Sequence, residues 1–164
     1  MLASWIFLMR KKHKNAIAEA KNAIILNPNN ADAYFMLGWA LILSDRPGEA
    51  IGVLKKAIRL NPIPPVWYLG HLGWAYRVSK QYEKAIETYK NALRRQSDHL
   101  QTYLGLALSY TFLGREKKAR AAVKEALNLN PDFSIELWKK SSPYKNQAEL
   151  ERVVEAFRKL GVPE

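Results

Sequence analysis

Asn-Pro closes three stretches of this chain, at Asn27-Pro28, Asn61-Pro62 and Asn130-Pro131. Pro28 and Pro62 lie 34 residues apart, and Pro131 follows Pro62 by two such steps, with Ser97 at the skipped position. The same step separates Ala16, Ala50, Ala85 and Ala119, and again Ala23, Ala57, Ala92 and Ala126. Ser4-Trp5, Gly38-Trp39, Gly73-Trp74 and Ala107-Leu108 keep the register in the first half of each block. A fixed period of this length is the signature of stacked helical hairpins, in which each unit packs only on its neighbours. The fold expected is an all-α, right-handed solenoid, an architecture that presents binding walls.

Each block reads as two helices. The first is apolar nearly all round, as in Tyr34-Phe35-Met36-Leu37-Gly38-Trp39-Ala40-Leu41-Ile42-Leu43. The second is amphipathic and charged, as in residues 49–60. Polar turns join them at 44–47, 79–81 and 113–115, and Pro47 suits the first turn of a helix, where no backbone N–H is required. Small residues at Gly38, Gly73 and Ala107 on the first helix, and Ala16, Ala50, Ala85 and Ala119 on the second, allow close approach of the two. The run Asn61-Pro62-Ile63-Pro64-Pro65 predicts a stiff kink, because each proline fixes φ.

The landmarks resemble the tetratricopeptide repeat, whose pattern is W-x2-L-G-x2-Y, then A-x3-F, A and P. Leu69, Leu72-Gly73, Tyr76, Ala85, Tyr89 and Ala92 match it in the third block. Tyr34, Leu37-Gly38, Leu41, Ala50, Leu54, Ala57 and Pro62 match in the second, and Tyr103, Leu106-Ala107, Tyr110, Ala119, Val123, Ala126 and Pro131 in the fourth. The resemblance implies a partial repeat over 1–28, full repeats over 29–62, 63–97 and 98–131, and an extension with a capping helix over 132–164. A second resemblance spans the tail too. Gly-Trp-Ala, the run 61–68 and the ending around Trp138, Tyr144 and Leu160–Glu164 resemble the C-terminal repeat modules of bacterial class III nucleotide cyclases. It implies a bacterial, cytoplasmic regulatory protein, with the detached end of a cyclase as an alternative identity.

At the N-terminus the apolar run Leu2–Met9 is too short to span a bilayer, and its positive cluster follows the run instead of preceding it. Repeat register explains it better, since Trp5 and Phe7 share the phase of Trp39 and Leu41. The chain is expected to start inside the first helix of a repeat, either because its parent extends upstream or because the reading frame is a shortened one. Beyond 131, Leu150, Val153, Val154, Phe157 and Leu160 recur at helical spacing, with Asn146 and Glu149 placed as a cap and Gly161 and Pro163 as the stop. An apolar face inward and a charged face outward is what the end of a solenoid needs.

No catalytic arrangement is visible. The chain has no cysteine, so thiol chemistry, disulfides and Cys-based zinc sites are excluded. His13, His71 and His99 fall in separate blocks without ligand spacing, so neither metal nor cofactor is expected. The net charge of +11 raises nucleic acid or acidic partners as options. Yet the basic residues, among them Lys55, Lys56, Lys84, Lys90, Arg94, Arg95, Lys117 and Lys124, belong to second helices on the convex wall. No aromatic ladder interleaves with them, as single-strand binding would require, and a solvated face is the simplest reading.

The inner wall is more informative. Spacing i, i+3, i+7 and i+10 along each first helix selects Asp32, Phe35, Trp39 and Ile42; then Trp67, Gly70, Trp74 and Arg77, beside His71; then Gln101, Leu104, Leu108 and Thr111; with Trp5 and Leu8 from the partial repeat. A helix apolar on every side must be buried or partnered. These side chains are therefore extra core between neighbouring helices, a partner-binding wall, or a seat for the chain's own tail. The groove expected for a protein or peptide ligand consists of Trp5, Phe35, Trp39, Ile42, Trp67, His71, Trp74, Arg77 and Leu108, with Arg77, His71 and Asp32 setting a ligand's register. Self-association is a further option. The carboxylate clamp of chaperone-binding tetratricopeptide domains is excluded, because the corresponding positions are Phe35, Trp39, Gly70, Trp74, Leu104 and Leu108.

Overall fold

The computed structural model describes residues 2–10, 12–142, 144 and 146–164. Among these, regular structure is entirely helical. The elements are α1 (Leu2–Met9), α2 (His13–Leu26), α3 (Ala31–Leu43), α4 (Pro47–Leu60), α5 (Val66–Val78), α6 (Tyr82–Arg95), α7 (Leu100–Phe112), α8 (Glu116–Leu129), α9 (Ile135–Ser141) and α10 (Gln147–Lys159). Successive helices pack as antiparallel hairpins into a solenoid. None is long and apolar enough to cross a membrane.

The repeated punctuation has a physical cause at each end of the hairpin. At the Asn-Pro sites the asparagine Oδ1 accepts the backbone N–H two residues on: Asn27 from Asn29 (3.0 Å), Asn61 from Ile63 (3.2 Å) and Asn130 from Asp132 (3.1 Å). Asparagine closes its own turn in this way, while the following proline prevents the helix from continuing. At the opposite end the first helices stop with a left-handed residue, Asp45 (φ 60°), Lys80 (φ 59°) or Gly114 (φ 68°). Paired 6→1 and 5→2 hydrogen bonds accompany it, as in Arg46 N–H to Leu41 (2.9 Å) and Asp45 N–H to Ile42 (3.1 Å). These satisfy carbonyls that the helix end would otherwise orphan.

Within each hairpin the small residues set the spacing. A Cβ added to Gly38 would stand 2.5 Å from Leu54 Cγ, and one added to Gly73 would stand 2.6 Å from Tyr89 Cε1. Gly105 meets the same Tyr89 ring from α7, a close approach the repeat pattern did not single out. The fourth block places Ala107 and the smaller Val123 at the equivalent positions, so a larger first residue is matched by a smaller second. Ala16, Ala50, Ala85 and Ala119 are fully buried where the paired helices meet.

First helices also touch each other, α1 with α3, α3 with α5 and α5 with α7, whereas no two of α2, α4, α6 and α8 come together among the described residues. The layer whose members touch is the inner, concave wall, and the splayed layer is the convex one. Exposed lysines on the convex layer rest partly on tyrosines: Lys55 and Lys84 lie 5.8 and 5.9 Å from the Tyr76 ring, and Lys118 lies 6.0 Å from that of Tyr110. The tail closes the other end. Helix α10 packs on α7 and α9 with Val153, Val154, Phe157 and Leu160 buried. Asn146 caps it by accepting the Glu149 N–H (3.1 Å), and Gly161 (φ 80°) ends it.

Candidate functional site

The concave wall is built on aromatic rings in contact. Phe35 of α3 stacks on Tyr68 of α5 at 4.6 Å, nearly parallel. His71 then sits edge-on to Phe35 (4.9 Å) and Trp39 (5.1 Å) and tilts toward Trp74 (5.8 Å). From Trp74 the series passes into the tail: Tyr144 at 5.3 Å, Trp138 5.9 Å beyond it, and Phe157 a further 5.4 Å on. Ring contacts of this kind add to the gain from burial itself. They link the inner helices α3 and α5 to the C-terminal extension.

A cavity of about 330 Å3 opens beside this series. Trp39, Trp67, His71, Trp74, Arg77 and Leu108 all line it, as do Gly70, Leu104 and Gly105. The tail contributes Trp138, Ser142, Tyr144 and Phe157 to the same lining. Of the groove residues expected from sequence, Trp5, Phe35 and Ile42 do not line it. Phe35 and Ile42 are buried in the core, and Trp5 is about half exposed on α1 (48%). At the open end Trp67 is also 48% exposed, and Gln101 is exposed. Two of the three options for the wall therefore coexist: inner side chains pack between neighbouring helices, and the chain's own tail lies against them.

Asp32, His71 and Arg77 each have an internal partner on the wall. Asp32 accepts a short hydrogen bond from the Tyr68 hydroxyl. Burial, reinforced by that carboxylate, pushes the Tyr68 phenol above its ordinary range. The Trp67 carbonyl lies 2.8 Å from His71 Nδ1, and since a carbonyl only accepts, that nitrogen carries the proton. Desolvation pushes the imidazole down to about 4, so it is neutral near pH 7. Neutral His71 acts in the wall as an aromatic surface.

Arg77, in the last turn of α5, is only 2% exposed. Its Nη1 donates to Glu149 Oε1 (2.8 Å) and its Nη2 to the Tyr144 hydroxyl (2.9 Å). Burial opposes its charge, but the Tyr144, Tyr89 and Glu149 oxygens around it hold the guanidinium protonated, above its ordinary range. Arg152 extends the network, donating to Glu149 Oε2 (3.3 Å) and the Tyr82 hydroxyl (2.6 Å) while its guanidinium lies 3.8 Å from the Phe112 ring centre. The sequence singled out Arg77, but gave no sign that its acid lies 72 residues away. Tyr144, Trp138 and Glu149 were missed as wall residues, because their places depend on where the extension folds back.

A family profile described as the tetratricopeptide repeat matches residues 7–69 and 79–140. The chain is 28% identical over 123 residues to human tetratricopeptide repeat protein 13, covering 75% of this chain and 14% of that protein. It is 22% identical over 147 residues to the TPR repeat-containing protein YpiA of Bacillus subtilis, covering 90% and 34%. It thus spans from about a seventh to about a third of the length of these curated relatives. Among solved structures, MamA superposes with a TM-score of 0.70 at 23% identity, over 96% of this chain and 91% of that one. YrrB, described as a TPR protein with an unusual peptide-binding site, gives 0.71 at 19% identity over 85% and 72%. At these identities the structural likeness concerns the fold.

Proposed function

The chain belongs to the tetratricopeptide-repeat family, and on that premise we propose that it is a non-enzymatic scaffold whose concave wall holds a peptide or helix from a protein partner. The observation that carries this reading is the partial exposure of Trp39, Trp67 and Trp74 around one cavity on the inner wall. Tryptophan dominates binding energy more often than most residues, because it offers a large area at low entropic cost. The cavity has the dimensions of a pocket for one large side chain. Solved relatives support the reading by analogy, since YrrB is described by its peptide-binding site. Asp32 and His71 have partners within the chain, so most of the binding energy there comes from apolar burial.

The test begins with a peptide selected from a random library against the wild-type chain. Trp39→Ala and Trp74→Ala should each weaken its binding by about 2 kcal/mol or more, measured by calorimetry, with helicity by circular dichroism little changed. Binding that survives both substitutions would place the ligand elsewhere. Loss of helicity in both would show that the tryptophans are core residues.

A further inference from the structure

Tyr144 and Glu149 are the side chains of the extension that meet Trp74 and Arg77 of α5 on the inner wall. Tyr144 tilts over Trp74 at 5.3 Å, and Glu149 meets Arg77 at 2.8 Å. Tyr144 lies between α9 and α10, outside the repeat hairpins, and occupies a seat that Trp74 and Arg77 of α5 provide. A buried guanidinium demands an acid, and here the acid comes from the tail. Asn146 adds a weak contact, its Nδ2 donating to Asp45 Oδ2 at 3.4 Å on the turn between α3 and α4.

The seat is imperfectly satisfied. Trp39 Nε1, Arg77 Nε and Ser142 Oγ are buried around it without any hydrogen-bond partner. Native structures rarely leave such groups unpaired, and each unmade bond disfavours the arrangement that buries it. Two of the three are N–H donors, so an occupant bringing carbonyl or carboxylate oxygens would satisfy what the tail does not.

We propose that the tail is an exchangeable occupant of the concave wall, and that the partner displacing it is a peptide presenting an aromatic side chain to Trp74 and a carboxylate to Arg77. This rests on the peptide-binding reading above and adds the ligand's chemistry and its competitor. The aromatic group takes the place of Tyr144, and the acid that of Glu149. Charge complementarity fixes the second choice: the groove's one buried cation among the described residues is Arg77. When the tail is seated, apparent affinity falls by the fraction of molecules whose wall is open.

The native chain has no cysteine, so an introduced pair can be joined selectively. Asp45→Cys and Asn146→Cys in the full chain are linked with a short bis-maleimide that contains a reducible disulfide. The probe is a fluorescein-labelled peptide with the sequence of residues 140–152, read by anisotropy. After reduction the peptide should bind, and with the linker intact affinity should be at least about tenfold lower. Peptides carrying Y144A or E149Q should bind more weakly than the unaltered one. Because linked and cleaved samples carry the same substitutions, any effect of the cysteines on folding cancels. Equal binding before and after reduction, or none in either state, overturns the proposal. The library-selected peptide separates the two readings: if it binds the linked chain and loses affinity on Trp74→Ala, the groove stands and tail exchange fails.

Discussion

At the C-terminal end of the solenoid, α9 and α10 lie over the last hairpin and leave Phe157 only 1% exposed. At the N-terminal end, Ile25 and Leu26 stand 76% and 86% exposed on α2. The two ends share the same repeat chemistry and differ in what covers them. The covered end combines side-chain caps at Ser134 and Asn146, the Arg77–Glu149–Arg152 network, and the bond from Ile135 N–H to the Pro163 carbonyl (2.8 Å). Helix α2 has neither a side-chain cap nor an acidic residue in its first turn. In a solenoid, stability is close to a sum of repeat and interface contributions. An end with one interface fewer therefore opens at lower cost, and the contrast predicts a gradient of stability along the chain.

Substitutions can break or sharpen that contrast. Phe157→Ala removes the ring that meets both Trp138 and Phe133, and should cost about 3–5 kcal/mol in chemical denaturation. A cost below about 1 kcal/mol would mean the extension is not integral to the covered end. In the middle of the chain, Gly73→Ala drives a methyl group into the Tyr89 ring. It should cost about 1–3 kcal/mol by overpacking, read as a lower denaturation midpoint. At the open end, Leu26→Gln should change stability by no more than about 0.5 kcal/mol despite replacing a large apolar residue. A larger loss there would show that Leu26 has a partner in solution, such as a second copy of the chain.

The contrast also explains what the sequence revealed. Repetition made the hairpins legible: four phased alanines, three Asn-Pro turns and the glycines opposite Leu54 and Tyr89 each encode a local geometry reused block after block. Local signals likewise exposed α10, through Asn146, the spacing of Val153, Val154, Phe157 and Leu160, and Gly161. The inner wall was only partly legible. Helix α3 is apolar on all sides, so periodicity alone does not separate Phe35 and Ile42, which enter the core, from Trp39, which lines the cavity. The tail's seat left no trace in the pattern. Contacts such as Arg77 with Glu149 join one repeat to a single non-repeated segment, and no periodicity can report them. His71 illustrates the same gap: its neutrality follows from desolvation among rings brought together by α3 and α5.

Native-state hydrogen exchange resolved by residue tests the gradient most directly, since it reads local opening free energies along the chain. Backbone amides of α2 (His13–Leu26) should exchange through low-energy opening well before those of α5 (Val66–Val78) and α6 (Tyr82–Arg95), whose slowest amides should approach the global unfolding free energy. Protection of α2 equal to or greater than that of α5 and α6 would contradict the account.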